Sequence, residues 1–590
     1  MESRQAGTVD YERLRKDITW DVAKRELGYT DGAPINIAQL CIDRHVQAGR
    51  GDKLALIHEN HDGDLRHFTY RDLQLITNGW AGFLRGLGIK NLERVCLFLD
   101  RVPELYIGFM GILKLGAVVE PLFSAFGEDA LHSRMEDSAA VAIITQRKHL
   151  GKVRRVRERV PSLKHVIVID HEEDGRPLRE GEVAFQMMNN KLDAFPVFKA
   201  YPETPSVLHY TSGTTGKPKG AMHVHGSIFA QYLTTKVVLD LKDDDIYWCT
   251  ADPGWVTGTS YGIIGPWAMG VTQVVVDAGF SSDRWYETIE KHRVTVWYTA
   301  PTAIRMLMKD GLDPVKRHDH STLRHMCSVG EPLNPEAVRW GREAFGLDYH
   351  DTFWQTETGS IMITNLPGMP VKPGSMGRPF PALEAAVVDP RTGEPIAEAG
   401  RVGLIAIRPP WPSMMRTYWN NSATYYGKFL NGWYICGDQA SLDNDGYFWF
   451  CGRDDDVINT GGHLVGPFEI ESALLEHEAV AESAAIGKPD PVNMEVVKVF
   501  VALRPGYTPS GDSRLRTWFM MLSSRSSSPT KPGRSATNAF TTSMFIGSGL
   551  PMAADSATAG CSSSALSISN GPTRCPAVLI TSSSRPQNQK

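Results

Sequence analysis

Residues 210–220 read Tyr-Thr-Ser-Gly-Thr-Thr-Gly-Lys-Pro-Lys-Gly and directly follow the β-prone stretch that starts at Val207. Hydroxyl groups and glycine amides in such a loop can surround phosphate oxygens, because glycine lets the backbone approach an anion closely. Lys217 and Lys219 add positive charge. Pro218 follows the first lysine where the GxxxxGK[ST] loop requires Ser or Thr. The run therefore predicts a phosphate-binding loop of another type, and a plain turn does not explain its ordered sequence.

Composition is ordinary for a soluble globular protein and argues against several functions. The 590 residues are 42% hydrophobic and 22% charged, which allows two or more domains. A net charge of −5 without a basic stripe argues against nucleic acid as a partner. The eight cysteines form no Cys-x-x-Cys pair, so they predict no zinc site or disulfide framework and favour the reducing cytoplasm. The charged N-terminus lacks the apolar region of a signal peptide.

Alternation of helical patterns with short Val/Ile-rich runs predicts an α/β fold with parallel sheets and helices on both faces. The clearest runs are Val95–Leu99, Ala140–Thr145, His165–Asp170 and Val274–Asp277. The most apolar stretch, Tyr106–Leu122, contains Lys114 and Glu120. It predicts a buried helix followed by a buried strand, because it is too short and too polar to span a membrane.

Four parts follow from these patterns. We predict an N-terminal extension (1–34), a large domain (35–453) of two α/β subdomains and a small β subdomain, and a truncated α+β domain (454–510). The tail (511–590) has eighteen serines, two aspartates, two lysines and no glutamate. It shows no helical or strand periodicity, so we expect this low-complexity tail to be disordered.

Three further motifs carry groups suited to nucleotide chemistry. Ser328–Pro332 contains Gly-Glu-Pro, which alone is more often a plain turn. Residues 351–359 read Asp-Thr-Phe-Trp-Gln-Thr-Glu-Thr-Gly and place a hydroxyl and a carboxylate beside two aromatic rings. Asp438, in a Gly-Asp pair, precedes Arg453 by fifteen residues. Their order after the phosphate loop favours a shared function.

Together the four motifs resemble the adenylate-forming superfamily of acyl-CoA synthetases, peptide-synthetase adenylation domains and firefly-type luciferases. Over about Trp20–Leu503 the chain is most similar to the AMP-forming acetyl-CoA synthetases. The resemblance implies that ATP, Mg²⁺, acetate and CoA are the small-molecule substrates and cofactors, and that an acetyl-adenylate is the intermediate. It also implies a small C-terminal domain that rotates about a hinge at Asp455 between the two half-reactions.

The resemblance further implies a role for each matching residue. The implied ATP contacts are Thr211, Ser212, Gly213, Thr214, Thr215, Lys219, Gly330, Glu331, Pro332, Asp351, Thr352, Phe353, Trp354, Gln355, Thr356, Asp438 and Arg453. The implied acetate pocket is Trp255, Val256, Thr257, Val329 and Trp354, and the implied CoA contacts are Thr257, Gly461 and Gly462. The implied Mg²⁺ ligands are Glu357 at the nucleotide and, for a structural ion, Leu475, His477 and Val480. For His477 an ordinary surface helix position is an equal alternative, and we interpret His223-Val-His225 as structural.

Trp354 decides the predicted size of the acyl group. By the same resemblance, its position holds an indole in acetyl-CoA synthetases and glycine in medium-chain enzymes. The pocket should therefore hold two carbons. Because one methylene is worth about 1–3 kcal/mol, we expect propionate as a slow second substrate. The alternative for Trp354 is an ordinary core tryptophan.

The chain departs from the family pattern at its C-terminal side. Leu464 stands where the family has a phosphate-contacting arginine, and Gly461 stands where it often has serine. No Pro-Lys-Thr-Arg-Ser-Gly-Lys segment, whose last lysine reaches the carboxylate and α-phosphate, follows Leu503. We therefore identify no catalytic residue, expect severely impaired adenylation, and suspect a reading-frame shift between about Tyr507 and Thr517. Another short-chain acyl-CoA ligase and a non-catalytic nucleotide-binding homologue remain open alternatives.

Overall fold

The computed structural model describes residues 10–171, 177–211, 218–454, 458–460, 463–477, 479–490, 494–504, 507, 543–547 and 578–581. The chain divides into two compact units. The first unit comprises Met1–Leu333, Ala337–Ala385 and Ile407–Tyr434, and the second comprises Asn334–Glu336, Ala386–Ala406 and Ile435–Lys590. Within the described ranges, no helix combines the length and the apolar character that a membrane span needs.

The α-helices are numbered in chain order: α1 Tyr11–Asp17, α2 Trp20–Glu26, α3 Tyr70–Gly86, α4 Pro103–Leu115, α5 Glu128–Ser138, α6 Arg147–Arg157, α7 Ser227–Val237, α8 Val256–Thr259, α9 Gly265–Met269, α10 Ser282–His292, α11 Pro301–Asp310, α12 Asp313–Lys316, α13 Pro335–Phe345, α14 Ser422–Tyr426 and α15 Pro467–Leu475. Short π-helical segments span Gln39–Asp43, Val46–Arg50 and Ser260–Ile264, and a 3₁₀ turn spans Met187–Asn190.

The strands follow the same order: β1 Leu54–Glu59, β2 Leu65–Thr69, β3 Arg94–Phe98, β4 Val118–Pro121, β5 Ala142–Thr145, β6 His165–Val168, β7 Glu182–Ala184, β8 Pro205–Thr211, β9 Lys219–Val224, β10 Ile246–Cys249, β11 Thr272–Val276, β12 Val296–Thr299, β13 His325–Val329, β14 Tyr349–Phe353, β15 Ile363–Thr364, β16 Ser375–Pro379, β17 Ala385–Val388, β18 Gly403–Ile407, β19 Thr417–Tyr418, β20 Phe429–Leu430, β21 Trp433–Leu442, β22 Phe448–Arg453, β23 Ile458–Thr460, β24 His463–Val465, β25 Val480–Asp490, β26 Met494–Leu503, β27 Ser543–Gly547 and β28 Val578–Thr581.

Two largely parallel sheets form the first unit. One has the order β19-β9-β8-β4-β3-β5-β6-β7, parallel from β8 to β7. In the other, β1, β11, β10, β12, β13 and β14 run parallel in that order. The predicted α/β class is confirmed, and each of the four Val/Ile-rich runs contains most of a strand. Such runs are apolar throughout because parallel strands are covered on both faces.

The segment Tyr106–Leu122 forms the predicted buried helix and strand, α4 and β4. Pro103 stands at the first turn of α4, where its missing N–H costs nothing. Gly116 follows the last turn with φ +87°, which glycine adopts without strain. The side chain of Lys114 is fully buried and pairs with Asp43 at 2.8 Å, which explains how a charge is accommodated in this core.

The second unit contains a core formed by α15, β25 and β26. The antiparallel pair β25–β26 runs from Val480 opposite Leu503 to Asp490 opposite Met494. Its buried cluster includes Leu474, Val497 and Val499. From the tail, β27 pairs parallel with β26 and antiparallel with β28. The rest of the tail, which we expect to be disordered, lies outside the described residues, and that expectation stays a prediction.

Candidate functional site

The predicted phosphate loop connects two antiparallel strands of the first sheet. β8 ends at Thr211 and β9 begins at Lys219, and these two residues face each other across the hairpin. The Tyr210 hydroxyl donates a hydrogen bond to Asp137 Oδ2 at 2.7 Å and so anchors the end of β8. Thr211 and Lys219 therefore mark the base of the loop. The other predicted contacts in it lie outside the described residues: Ser212, Gly213, Thr214 and Thr215.

Tyr418 links this hairpin to the carboxylate of Glu357. Strand β19 pairs with β9 so that Tyr418 lies opposite Ala221. The Lys219 ammonium lies 5.8 Å from the centre of the Tyr418 ring, within cation–π distance. The Tyr418 hydroxyl donates to Glu357 Oε1 at 2.8 Å. Burial and the nearby Glu357 charge raise the pKa of Tyr418, so its hydroxyl remains a donor at neutral pH.

Glu357 is suited to hold a magnesium ion. It is half-buried, Tyr418 holds its Oε1, and its Oε2 accepts no hydrogen bond from the part of the chain that the structure describes. The described residues contain no group of three or more His, Cys, Asp or Glu side chains that could hold a metal by themselves. Mg²⁺ is commonly bound by one or two carboxylates together with substrate phosphates and water. A lone, oriented carboxylate therefore fits a nucleotide-bound Mg²⁺.

The backbone before Glu357 is held by a histidine on β9. The Nε2 atom of His223 lies 2.8 Å from the Thr356 carbonyl, and Nδ1 lies 3.2 Å from the Ser413 carbonyl. Burial lowers the pKa of His223 to about 4, so the ring is neutral at physiological pH. The ring hydrogen-bonds backbone here, which agrees with the interpretation of His223 as structural.

Residues 351–359 form the end of β14 and the turn after it. The buried Asp351 carboxylate accepts a hydrogen bond from Ser328 Oγ at 2.6 Å, and burial raises its pKa to about 7. Thr358 Oγ1 accepts from the backbone N–H of Gln355 at 2.9 Å, which closes the turn. Gly359 has φ +72°, and a Cβ there would lie 2.4 Å from the Ser413 carbonyl oxygen. The motif therefore ends in glycine because backbone packs directly against it.

The predicted adenine-side loop follows β13. Gly330 is exposed with φ +93°, and Pro332 is half-buried. The Glu331 carboxylate accepts hydrogen bonds from Thr302 Oγ1 at 2.6 Å and from Arg305 Nη2 at 2.7 Å. Its side chain thus fixes the loop to α11.

The predicted acetate pocket residues differ widely in exposure. Trp354 is 8% exposed and Val329 5%, whereas Trp255 is 50% exposed. Val256 and Thr257 are half-buried in the first turn of α8. Val329 lies opposite Thr352 in the β13–β14 pair, two residues before Trp354. Val329 and Trp354 are thus brought to one end of the second sheet.

In the second unit, the strand pair β21–β22 places Asp438 directly opposite Arg453. The aspartate is 9% exposed, and the arginine is exposed. The fourteen intervening residues therefore form a hairpin that brings the two predicted ribose-side residues together. The predicted hinge and CoA positions Asp455, Gly461 and Gly462 lie outside the described residues.

The predicted structural Mg²⁺ positions lie around the end of α15. Leu475 is its last residue, and the His477 carbonyl accepts a hydrogen bond from the Val480 N–H at 2.9 Å. The His477 Nδ1 accepts from the Ala479 N–H at 3.2 Å. A backbone hydrogen bond thus joins His477 and Val480, and the metal role of the three residues stays a prediction.

Sequence reasoning missed Tyr418, Tyr261 and Tyr298. The Tyr261 ring packs edge-on against the Trp354 indole at 5.0 Å, and the Tyr298 hydroxyl accepts its N–H. No local signal marks these tyrosines, because each meets the site only through strand pairing or packing between distant segments.

Two matches to one enzyme family define the class of this protein. Residues 42–419 match the AMP-binding enzyme family, and residues 469–520 match the AMP-binding enzyme C-terminal domain. The chain therefore belongs to the AMP-binding enzyme family.

The proteins similar in sequence to this chain include acetyl-coenzyme A synthetases. The chain is 46% identical over 504 residues to an acetyl-coenzyme A synthetase of Bacillus subtilis. The aligned region covers 85% of this chain and 87% of that protein. It is 40% identical over 520 residues to an acetyl-coenzyme A synthetase of Gemmatimonas aurantiaca, covering 82% of this chain and 78% of that protein.

Solved structures agree in fold. The acyl-CoA synthetase of Brucella canis superposes with a TM-score of 0.73 at 30% identity, covering 91% of this chain and 95% of that one. An anthranilate CoA ligase in complex with anthranoyl-AMP superposes with a TM-score of 0.74 at 28% identity, covering 85% and 93%.

Proposed function

We propose that the chain is an acetate–CoA ligase that converts ATP, acetate and CoA into acetyl-CoA, AMP and diphosphate through an acetyl-adenylate. Family membership and the acetyl-coenzyme A synthetases among its relatives support the reaction class. The observation that carries the substrate choice is the buried indole of Trp354, which lies at the same end of the second sheet as the buried Val329. An indole there occupies the space that a longer acyl chain needs, which leaves room for two carbons and, less well, for propionate.

In the first half-reaction an acetate oxygen attacks the α-phosphorus of ATP, and diphosphate leaves. Both reactants are anions, so the protein must hold them in line and neutralise their charge. Lys219, at the base of the hairpin, supplies positive charge, and the hydroxyls of the phosphate loop supply hydrogen-bond donors. Glu357 would hold Mg²⁺, which neutralises phosphate charge when bound. Tyr418 contacts both Glu357 and Lys219.

In the second half-reaction the CoA thiol attacks the acetyl carbon, and AMP leaves. We assign the thiol path to Thr257, Gly461 and Gly462, the hinge to Asp455, and the ribose contacts to Asp438 and Arg453. Leu475, His477 and Val480 are the proposed carbonyl ligands of a structural Mg²⁺. We place these reactions in the reducing cytoplasm, because the eight scattered cysteines of the sequence predict no disulfide framework.

The missing C-terminal lysine leads to the first prediction, on acetate-dependent ATP–pyrophosphate exchange by the full chain. Losing an electrostatic group at the reacting centre costs about 10²–10³-fold in rate, so exchange should fall by that factor below the rate of the Bacillus subtilis relative. Exchange at the relative's rate would contradict the impairment.

The same assay separates the alternatives. Exchange faster with propionate or an aryl acid than with acetate would identify another acyl-CoA ligase. Nucleotide binding with no exchange for any acid would identify a non-catalytic homologue. Acetate as the best substrate, even at a low rate, supports the proposal.

A further inference from the structure

The N–H of Trp354 begins a chain of hydrogen bonds with a single direction. Trp354 Nε1 donates to the Tyr298 hydroxyl at 3.2 Å, and that hydroxyl lies 2.7 Å from Thr352 Oγ1. Thr352 Oγ1 in turn donates to the Ser328 carbonyl at 2.7 Å. Since the threonine proton is used on Ser328, the Tyr298 hydroxyl must donate to Thr352. This series of hydrogen bonds crosses β12, β13 and β14 and ends at Ser328, one residue before Val329.

A second tyrosine packs against the same indole. The Tyr261 ring meets the Trp354 indole edge-to-face, with centroids 5.0 Å apart and planes at 83°. The Tyr261 hydroxyl accepts the Ile361 N–H at 2.7 Å and lies 2.8 Å from Thr234 Oγ1. Tyr261 and Tyr298 are both fully buried, and their rings also pack edge-to-face, at 5.8 Å. Each tyrosine is therefore held by contacts other than the indole.

We propose that Tyr298, together with Tyr261, is a positioning residue for substrate specificity. It holds the Trp354 indole in one orientation across the acyl pocket. This inference rests on the proposed role of Trp354 as the wall of an acetate pocket. An indole whose N–H is hydrogen-bonded to Tyr298 and whose ring packs against Tyr261 has one orientation. If the Tyr298 hydroxyl is removed, the buried indole N–H loses its hydrogen-bond partner. Its present orientation then costs free energy, which favours rotation of the ring. A turned indole would admit a longer acyl chain.

The test uses the full chain and unreactive acyl-adenylate mimics, ethyl-AMP and butyl-AMP, titrated calorimetrically. The measured quantity is the ratio of the butyl-AMP to the ethyl-AMP dissociation constant. An unpartnered buried donor costs enough to change this ratio by about tenfold, so Tyr298→Phe should lower it by about that factor. Thr352→Val, which removes the next acceptor in the chain, should lower it in the same direction and serves if the first variant folds poorly.

Tyr349→Phe is the matched control. Tyr349 is a fully buried tyrosine on β14 whose hydroxyl has no hydrogen-bond partner within the described part of the chain. Its ratio should equal that of the unaltered protein. Trp354→Gly tests the pocket itself and should lower the ratio more than Tyr298→Phe.

The outcomes separate the two ideas. If Trp354→Gly lowers the ratio and neither Tyr298→Phe nor Thr352→Val does, the locking role is overturned and the acetate pocket stands. If Trp354→Gly leaves the ratio unchanged, the pocket assignment fails and the inference fails with it. An equal drop in Tyr349→Phe would show a general loss of core packing and would also overturn the locking role.

Discussion

Tyr418 contacts two charged groups of the site through different parts of its side chain. Its hydroxyl donates to Glu357, and its ring faces the Lys219 ammonium. These two contacts can be separated by substitution. Phenylalanine keeps the aromatic ring but lacks the hydroxyl, whereas leucine lacks both. Tyr418 therefore tests whether the phosphate hairpin and the Glu357 carboxylate act on one nucleotide.

We predict that Tyr418→Phe raises the dissociation constant of ATP about tenfold in the presence of Mg²⁺, because a hydrogen bond to a charged group is worth about 1.5 kcal/mol. Tyr418→Leu should raise it further, since the cation–π contact is also lost. Calorimetric titration with and without Mg²⁺ measures both. Tyr426→Phe, at a tyrosine that is 70% exposed, is the control. Unchanged affinity in both Tyr418 variants would show that this link does not serve nucleotide binding.

At the scale of elements, the turn after β14 depends on Gly359, whose positive φ and close backbone neighbour leave no room for a side chain. We predict that Gly359→Ala lowers the free energy of unfolding by about 3 kcal/mol or more, because the added Cβ meets the Ser413 carbonyl as well as an unfavourable φ. Gly346→Ala is the matched control. It has a similar φ of +70° but nothing within 4 Å, so only about 1 kcal/mol should be lost.

Urea unfolding of the two variants measures this difference. Equal losses would mean that the Ser413 segment moves aside, and the close packing behind Thr356 and Glu357 would then not constrain the site.

The sequence predicted the elements well where burial alone decides them. The Val/Ile-rich runs, α4 and β4 follow from apolar pattern, proline and glycine. The motif residues were also predictable, because their order resembles a known family. The pairing of Tyr418 with β9 and the packing of Tyr261 against Trp354 were not, because they join segments about 90 to 200 residues apart. Such contacts arise from topology, which no local pattern encodes.

At the scale of the whole molecule, the predicted chemistry is divided unevenly along the chain. The residues that we propose for the phosphates and the acyl group lie in the first unit, whereas Asp438 and Arg453, proposed for the ribose, lie in the second. The sequence after Leu503 lacks the Pro-Lys-Thr-Arg-Ser-Gly-Lys segment that the family resemblance leads us to expect. We therefore predict that binding of an adenylate and its synthesis are separable in this protein.

Calorimetric titration of the unaltered full chain with ethyl-AMP and butyl-AMP tests the central claim most directly. The claim is that the chain holds an adenylate with a two-carbon acyl group. Two extra methylenes against the Trp354 indole should weaken binding by at least about tenfold, so we predict clear binding of ethyl-AMP and much weaker binding of butyl-AMP. Butyl-AMP binding as tightly as ethyl-AMP, or no binding of either, would contradict it.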